Sequence, residues 1–203
     1  MNIVNLAARK KTGYSSNVYL ILGGSDPDDI NTLIDVGNDI TVLKRLEDAL
    51  NDQHQKPIEQ VILTHGHIDH TALLPLIRDR FALRVYAHPI SLDVDTALQD
   101  GQELRCGDRW FEVIYTPGHS QDSICLYDPE DSALFAGDTP VIIRWTNGAY
   151  DEQFAQTLDR LCQLKIKTIY QGHGDPITRN AQDLLHQSLK NVRKTMSKQT
   201  WRA

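Results

Sequence analysis

Leu63-Thr64-His65-Gly66-His67-Ile68-Asp69-His70 places three imidazoles and a carboxylate within six residues, at the point where an apolar run stops. Imidazole nitrogen and carboxylate oxygen suit borderline divalent cations such as zinc, manganese and iron(II). Several such groups converging on one spot are costly unless a cation neutralises and orders them. Val61-Ile62-Leu63 reads as the end of a buried strand, so His65 and His67, two apart in extended chain, point the same way. Asp69 and His70 follow as the chain turns into Thr71-Ala72-Leu73-Leu74-Pro75-Leu76-Ile77, whose apolar positions predict a short helix. Two ligand pairs therefore leave one turn in different directions, which is more than a single ion needs.

Three later segments repeat the device. Glu112-Val113-Ile114-Tyr115-Thr116-Pro117-Gly118-His119 is a strand running into a Pro-Gly turn that ends on His119. Ala133-Leu134-Phe135-Ala136-Gly137-Asp138 is an apolar run ending on an acid, and Thr168-Ile169-Tyr170-Gln171-Gly172-His173-Gly174 sets a histidine between glycines. Each puts one metal-competent side chain at a strand end beside a glycine that allows close backbone approach. A strand ending in Gly-Asp or Gly-His is commonplace taken singly, but the three together complete a set.

With these landmarks in order, the chain resembles the metallo-β-lactamase superfamily over nearly its whole length. The resemblance rests on the His-x-His-x-Asp-His motif at His65 to His70, on Pro117-Gly118-His119, on Gly137-Asp138 and on Gly172-His173. It implies that His65, His67 and His119 bind one metal, that Asp69, His70 and His173 bind a second, and that Asp138 bridges the two. Two divalent ions are implied, zinc first, with iron or manganese as alternatives. Leu33-Ile34-Asp35-Val36-Gly37 is similar to a further landmark, with Asp35 supporting the site rather than ligating it. One departure stands after Pro117-Gly118-His119, where the family often has Thr and then Gly and this chain has Ser120 and Asp122.

Periodicity predicts strands over 17–22, 32–35, 58–64, 84–87, 110–115, 123–127, 133–136 and 168–170. Helical spacing appears in Val42, Leu43, Leu46 and Leu50, in Phe154, Leu158, Leu161 and Cys162, and in Leu184, Leu185, Leu189 and Val192, with Asp151 and Asn180 where N-caps belong. This mixture defines an α/β or α+β chain. The resemblance adds the four-layer αββα sandwich, in which two facing sheets bring their strand ends to one edge.

The 203 residues, 40% of them hydrophobic, suit one domain over 1–203 and are too few for two ordinary domains with linkers. No run is long enough to span a bilayer, and the amino-terminal residues lack a signal-peptide pattern, so a cytoplasmic location is expected. Cys106, Cys125 and Cys162 lack the spacing of a disulfide framework or a thiolate metal site. A net charge of −6, with local positive charge only at Lys10-Lys11 and over 190–202, disfavours nucleic acid as a partner. His54 is expected to be solvated in a polar loop, His186 to lie on a helix surface, and His88 to be structural.

The resemblance implies a metal-dependent hydrolase in which a metal-bridging hydroxide attacks the carbonyl of a small-molecule ester or thioester, with Asp69 as a proton carrier. No Gly-x-Ser-x-Gly pattern offers another nucleophile. Gly137-Asp138-Thr139 and the stretch from Gly148 to Phe154 resemble glyoxalase II enzymes, although only about one helix follows His173, so a glutathione site is not carried over. An acyl-homoserine lactonase ranks next, because Val141 stands where lactonases carry a Tyr. A mononuclear iron oxidoreductase such as a persulfide dioxygenase is a further alternative, and β-lactamase or nuclease activity ranks lower. Substrate contacts are expected from a flap over Lys11-Thr12-Gly13-Tyr14-Ser15-Ser16 and from the 141–150 loop, with Tyr14, Arg144, Trp145, Asn147 and Tyr150 as candidates.

Overall fold

In the computed structural model, residues 1–7, 14–52, 56–89, 94–146 and 148–200 are described. His54, Asn147, Arg202, Lys10 and the Lys11 to Gly13 part of the expected flap lie outside them. Six strands form one sheet in chain order: β1 (Asn2–Asn5), β2 (Tyr19–Leu22), β3 (Thr32–Ile34), β4 (Gln60–Ile62), β5 (Arg84–Ala87) and β6 (Thr96–Ala97). Its first three strands pair antiparallel, and β3 to β6 run parallel. The second sheet contains β7 (Glu103–Cys106), β8 (Arg109–Tyr115), β9 (Ile124–Asp128), β10 (Ala133–Gly137) and β11 (Thr168–Gln171), in the order β11-β10-β9-β8-β7. The helices are α1 (Thr41–Asp52), α2 (Ile68–Thr71), α3 (Leu74–Arg80), α4 (Glu152–Gln163) and α5 (Ala181–Thr200).

Strand alternation sorts the apolar side chains into layers. Tyr19 and Ile21 of β2 face the second sheet with Ile34 and Ile62, and meet Phe111, Val113, Ile124, Leu126 and Phe135 there. Leu20 and Leu22 point the other way, packing with Leu33, Val61 and Val85 under Val42, Leu43, Leu46 and Leu50 of α1 and Ile77 of α3. On the outer face of the second sheet, Ile114, Cys125, Leu134 and Ile169 pack under Phe154, Leu158 and Leu161 of α4 and Leu185, Leu189 and Val192 of α5. Three apolar layers between four structural layers make the expected αββα sandwich.

Several expectations are corrected. Strands β1, β6 and β7 are additional: they are short edge elements, and β7 carries Glu103 and Arg105, charges that an edge tolerates and a buried strand does not. The strand expected from 17 begins at Tyr19, because Asn17 is drawn off to bond the His173 loop. The one expected over 32–35 stops at Ile34, where Asp35 turns into the left-handed region with φ 57°. The single helix expected after His70 is two, α2 and α3, because Pro75 has no N–H to continue the ladder. Asp151 caps α4 as expected, accepting from the Phe154 N–H at 2.8 Å. Asn180 stands before α5 with φ 55°, its carbonyl accepting from Leu184.

The topology gathers strand ends. β8, β10 and β11 run in one direction, since β9 is antiparallel to both β8 and β10 while β10 and β11 are parallel. A backbone bond from Ile124 to the Thr64 carbonyl, 2.9 Å, ties the second sheet to the first at this edge. Among the described residues, no helix is long and apolar enough to cross a membrane.

The contact between the sheets turns on Phe111, fully buried against Phe135. Phe111→Ala is expected to lower the unfolding free energy by about 3–5 kcal/mol in a urea titration. A loss under about 1 kcal/mol would contradict this packing.

Candidate metal centre

Asp35, turned out of β3 by its φ of 57°, is buried and accepts three hydrogen bonds. Thr64 N–H donates to Oδ1 at 2.8 Å, while Thr64 Oγ1 and His70 Nδ1 donate to Oδ2 at 2.8 and 2.7 Å. The expected supporting role is what this geometry performs: fixing His70 by Nδ1 leaves Nε2 for the centre. Thr64 acts in the same way on His65. Its hydroxyl proton is committed to Asp35, so Oγ1 accepts from His65 Nδ1 at 3.1 Å and His65 Nε2 is left as a lone pair.

Every residue singled out from the sequence as a ligand comes to the same edge. The donor atoms of His65, His67 and His119 lie within 4.8 Å of one another, as do those of Asp69, His70 and His173, and those of His65, His70 and Asp138. Asp138 touches both sets. Its Oδ1 is 3.4 Å from His70 Nε2, and its Oδ2 is 3.6 Å from His119 Nε2 and 3.3 Å from His173 Nε2. Asp69 Oδ2 lies 3.1 Å from His173 Nε2 and 3.7 Å from His70 Nε2.

Four of these atoms, His65 Nε2, His70 Nε2, His173 Nε2 and Asp69 Oδ2, are buried with no hydrogen-bond partner. Unsatisfied buried polar atoms are rare because each carries its full desolvation cost. Four of them aimed at one point, all of nitrogen or carboxylate type, fit divalent cations.

Two glycines make the convergence possible. A Cβ on Gly172 would fall on Asp138 Oδ1 and crowd His70, and one on Gly137, which has φ 49°, would meet Thr64 Oγ1 at 2.5 Å. The ladder between β10 and β11 also shifts register between Phe135 and Gly137, a bulge that re-aims the residue after it, Asp138. Sequence reasoning missed Asn17. Its buried carboxamide donates to the carbonyls of Gln171 and Gly174, both at 2.8 Å, and its N–H donates to the Gly172 carbonyl at 2.6 Å, gripping the loop on both sides of His173. A lone Asn ahead of an apolar strand carries no signal that could have revealed this.

The protonation pattern follows from burial and charge. Burial pulls His65 down to about 4, so the imidazole is neutral at pH 7. Burial also opposes charge on His70, but Asp35 and Asp138 outweigh it and hold the imidazole at about 10. For Asp138 burial raises the carboxyl, and the close ionic contact with His70, Nε2 3.4 Å away, together with His173, overcomes it and holds the group at about 2.

The substrate candidates separate. Tyr14 is at the centre, its ring stacked on His173 at 4.5 Å. Tyr150 stacks on Phe154, whose ring lies under Gly118, one residue from His119. Arg144 and Trp145 are exposed on the loop beyond Ile143, whose backbone is held by Ser188 and Asn191 of α5. Val141 is buried in the core. His88 stacks on Tyr115, His186 is exposed, and the three cysteines are free. Burial pushes the Cys106 thiol up to about 12 and the Cys125 thiol up to about 11, which makes neither a nucleophile.

Two sheets whose strand ends carry a converging set of imidazoles and carboxylates define a metal-binding αββα sandwich. A family profile described as the metallo-beta-lactamase superfamily matches residues 12–96 and 86–173, and the chain belongs to that family. An atrochrysone carboxyl ACP thioesterase of Aspergillus fumigatus is 31% identical over 182 residues, covering 86% of this chain and 55% of the relative. A hydroxyacylglutathione hydrolase of Hydrogenovibrio crunogenus is 30% identical over 168 residues, covering 78% of this chain and 59% of the relative. The chain thus spans little more than half the length of these curated relatives. Among solved structures, TTHA1623 in a di-iron-bound form superposes with a TM-score of 0.67 at 25% identity, covering 93% of this chain and 98% of that one.

A metal ligand must shed its proton, so metal uptake at pH 7 is expected to displace about one proton from His70. With that group at about 10 in the metal-free protein, apparent affinity should rise roughly tenfold per pH unit below that value for each proton displaced. Calorimetry in buffers of different ionisation enthalpy measures the release, and none would contradict the pattern. Gly172→Ala is expected to weaken metal binding at least tenfold, read by chelator competition, while circular dichroism is unchanged. Unaltered binding would place Gly172 outside the centre.

Proposed function

We propose that the chain is a dinuclear metal-dependent hydrolase of thioesters or related esters. His65, His67 and His119 would hold one cation, Asp69, His70 and His173 the other, and Asp138 would bind both. The observation that carries this reading is the four unpartnered buried donor atoms, with Asp138 in reach of both ligand sets. Such cations would supply Lewis acidity, lowering the pKa of a bound water to about 7 and polarising a carbonyl oxygen. Zinc is proposed first, since its chemistry suits all-nitrogen-and-oxygen donors without redox change.

The chain's own residues supply orientation and proton handling. Asp35 and Thr64 fix the ring planes of His70 and His65. Asp69, whose Oδ2 is 3.1 Å from His173 Nε2, would accept a proton and return it to the departing group. Asn17 holds the His173 loop. The names of the relatives, one an acyl-carrier-protein thioesterase and one a hydroxyacylglutathione hydrolase, support a small-molecule thioester as substrate. Val141, buried in the core, offers no hydroxyl to a lactone, which keeps lactonase second. Three free cysteines, two of them buried, accord with a reducing, cytoplasmic setting for one domain over 1–203.

Metal-loaded protein assayed on thioesters, lactones, phosphoesters and β-lactams is expected to turn over thioesters, with two cations per chain by elemental analysis. His67→Ala should lose metal and at least a hundredfold in kcat/KM while the fold survives by circular dichroism. Full activity in that variant, or no turnover of any thioester or ester, would overturn the proposal. One iron per chain with oxygen uptake would also overturn it.

A further inference from the structure

We propose that Tyr14 orients His173 by ring stacking and so sets how tightly the Asp69, His70 and His173 half of the centre holds its cation, independently of the His65, His67 and His119 half. The inference rests on the two-cation part of the reading above and names the residue that makes the two cations unequal.

A histidine that binds a metal through one ring nitrogen nearly always donates the other to a fixed partner, which sets the plane of the ring. His70 has Asp35 in that position and His65 has Thr64. His67 and His119 meet each other at 3.0 Å. His173 differs. Its Nε2 lies buried beside Asp69 and Asp138 without a well-formed hydrogen bond, and among the described residues no hydrogen bond fixes its Nδ1.

Two other rings touch it instead. Tyr14 stacks on the imidazole with centroids 4.5 Å apart and planes at 28°, and His70 meets it at 5.4 Å and 84°. A planar face laid against an imidazole restricts rotation about the broad terminal torsion of the side chain, the freedom that a hydrogen bond at Nδ1 would otherwise remove. An imidazole bound to a cation also carries part of its positive charge, which the negative face of the phenol ring attracts.

A tyrosine that is 71% exposed needs no explanation by itself, but this one is anchored where it can act. Asn38 Nδ2 donates to the Tyr14 carbonyl at 2.9 Å. The residues that follow it grip the same half of the centre: the Ser16 N–H reaches the Asp69 carbonyl at 3.4 Å, and the Asn17 N–H donates to the Gly172 carbonyl at 2.6 Å. The Asn17 carboxamide donates to the carbonyls of Gln171 and Gly174, both at 2.8 Å, and accepts from Asn5 Nδ2 at 3.1 Å. Residues 14–17 thus hold the Asp69 backbone, both sides of His173 and the His173 ring. Among the described residues, none of their hydrogen bonds reaches His65, His67 or His119. Removing the stack should therefore loosen one cation and spare the other, by roughly two- to tenfold in its dissociation constant.

The test follows zinc binding to the metal-free full chain by chelator competition, which yields a constant for each cation. Cadmium-113 resonance assigns them, since the signal lost in His173→Ala marks the half in question. Tyr14→Ala is expected to weaken that cation about fivefold and to shift or broaden the marked cadmium signal, with the other cation held as before and circular dichroism unchanged. Tyr14→Phe, which keeps the ring and loses only the hydroxyl, is expected to bind both cations as the unaltered chain does. Equal weakening of both cations in Tyr14→Ala, or no weakening of either, overturns the proposal and leaves the two-cation reading standing. A loss in Tyr14→Phe as large as that in Tyr14→Ala overturns it as well, because the ring would not be what acts. Fewer than two cations on the unaltered chain sinks the two-cation reading and the proposal with it.

Discussion

The structure depends on one costly arrangement, in which seven imidazole and carboxylate side chains face one another at the edge of two sheets. In water each of these groups would be hydrated; here four of their donor atoms are buried without a well-formed hydrogen bond. Without metal, part of the cost is met by one internal ion pair, with His70 held at about 10 between Asp35 and Asp138 and Asp138 held at about 2. That pair cannot satisfy His65, whose burial keeps it neutral, nor His173 and Asp69 together. Cations satisfy all of them at once, which is why the donor types and the burial belong to one account.

The fold exists around this edge. Parallel β8, β10 and β11 deliver His119, Asp138 and His173 to the same end of one sheet, and β3 and β4 deliver Asp35 and the His65 to His70 turn to the facing end of the other. Close approach then depends on small features: no side chain at Gly172 or Gly137, a bulge before Asp138, and the Asn17 carboxamide across the His173 loop. The Ile124 to Thr64 bond couples the sheets where the ligands meet, so inter-sheet packing at Phe111 and Phe135 and ligand geometry share one frame.

Much of this was legible in the sequence because the chemistry is local to it. Four of the seven proposed ligands stand in six residues, and the other three end apolar strands beside glycines, so composition and position agree. The central strands read well since both faces of each are buried and their apolar runs are continuous. What escaped notice depends on tertiary contacts that leave no mark on composition. Strands β1, β6 and β7 are edge elements with polar residues, Pro75 splits a helix that apolar spacing alone would continue, and Asn17 works through partners more than 150 positions away. Of the substrate candidates among the described residues, Tyr14 alone is stacked on a histidine of the centre, and nothing in the residue pattern ranks it above Trp145.

The central claim is that these strand ends hold two cations with Asp138 between them. Anomalous diffraction from crystals of zinc-loaded protein tests it most directly. The expected map shows two peaks about 3.5–4 Å apart, one among His65, His67 and His119 and one among Asp69, His70 and His173, with Asp138 contacting both. A single peak, or peaks away from these residues, would contradict it.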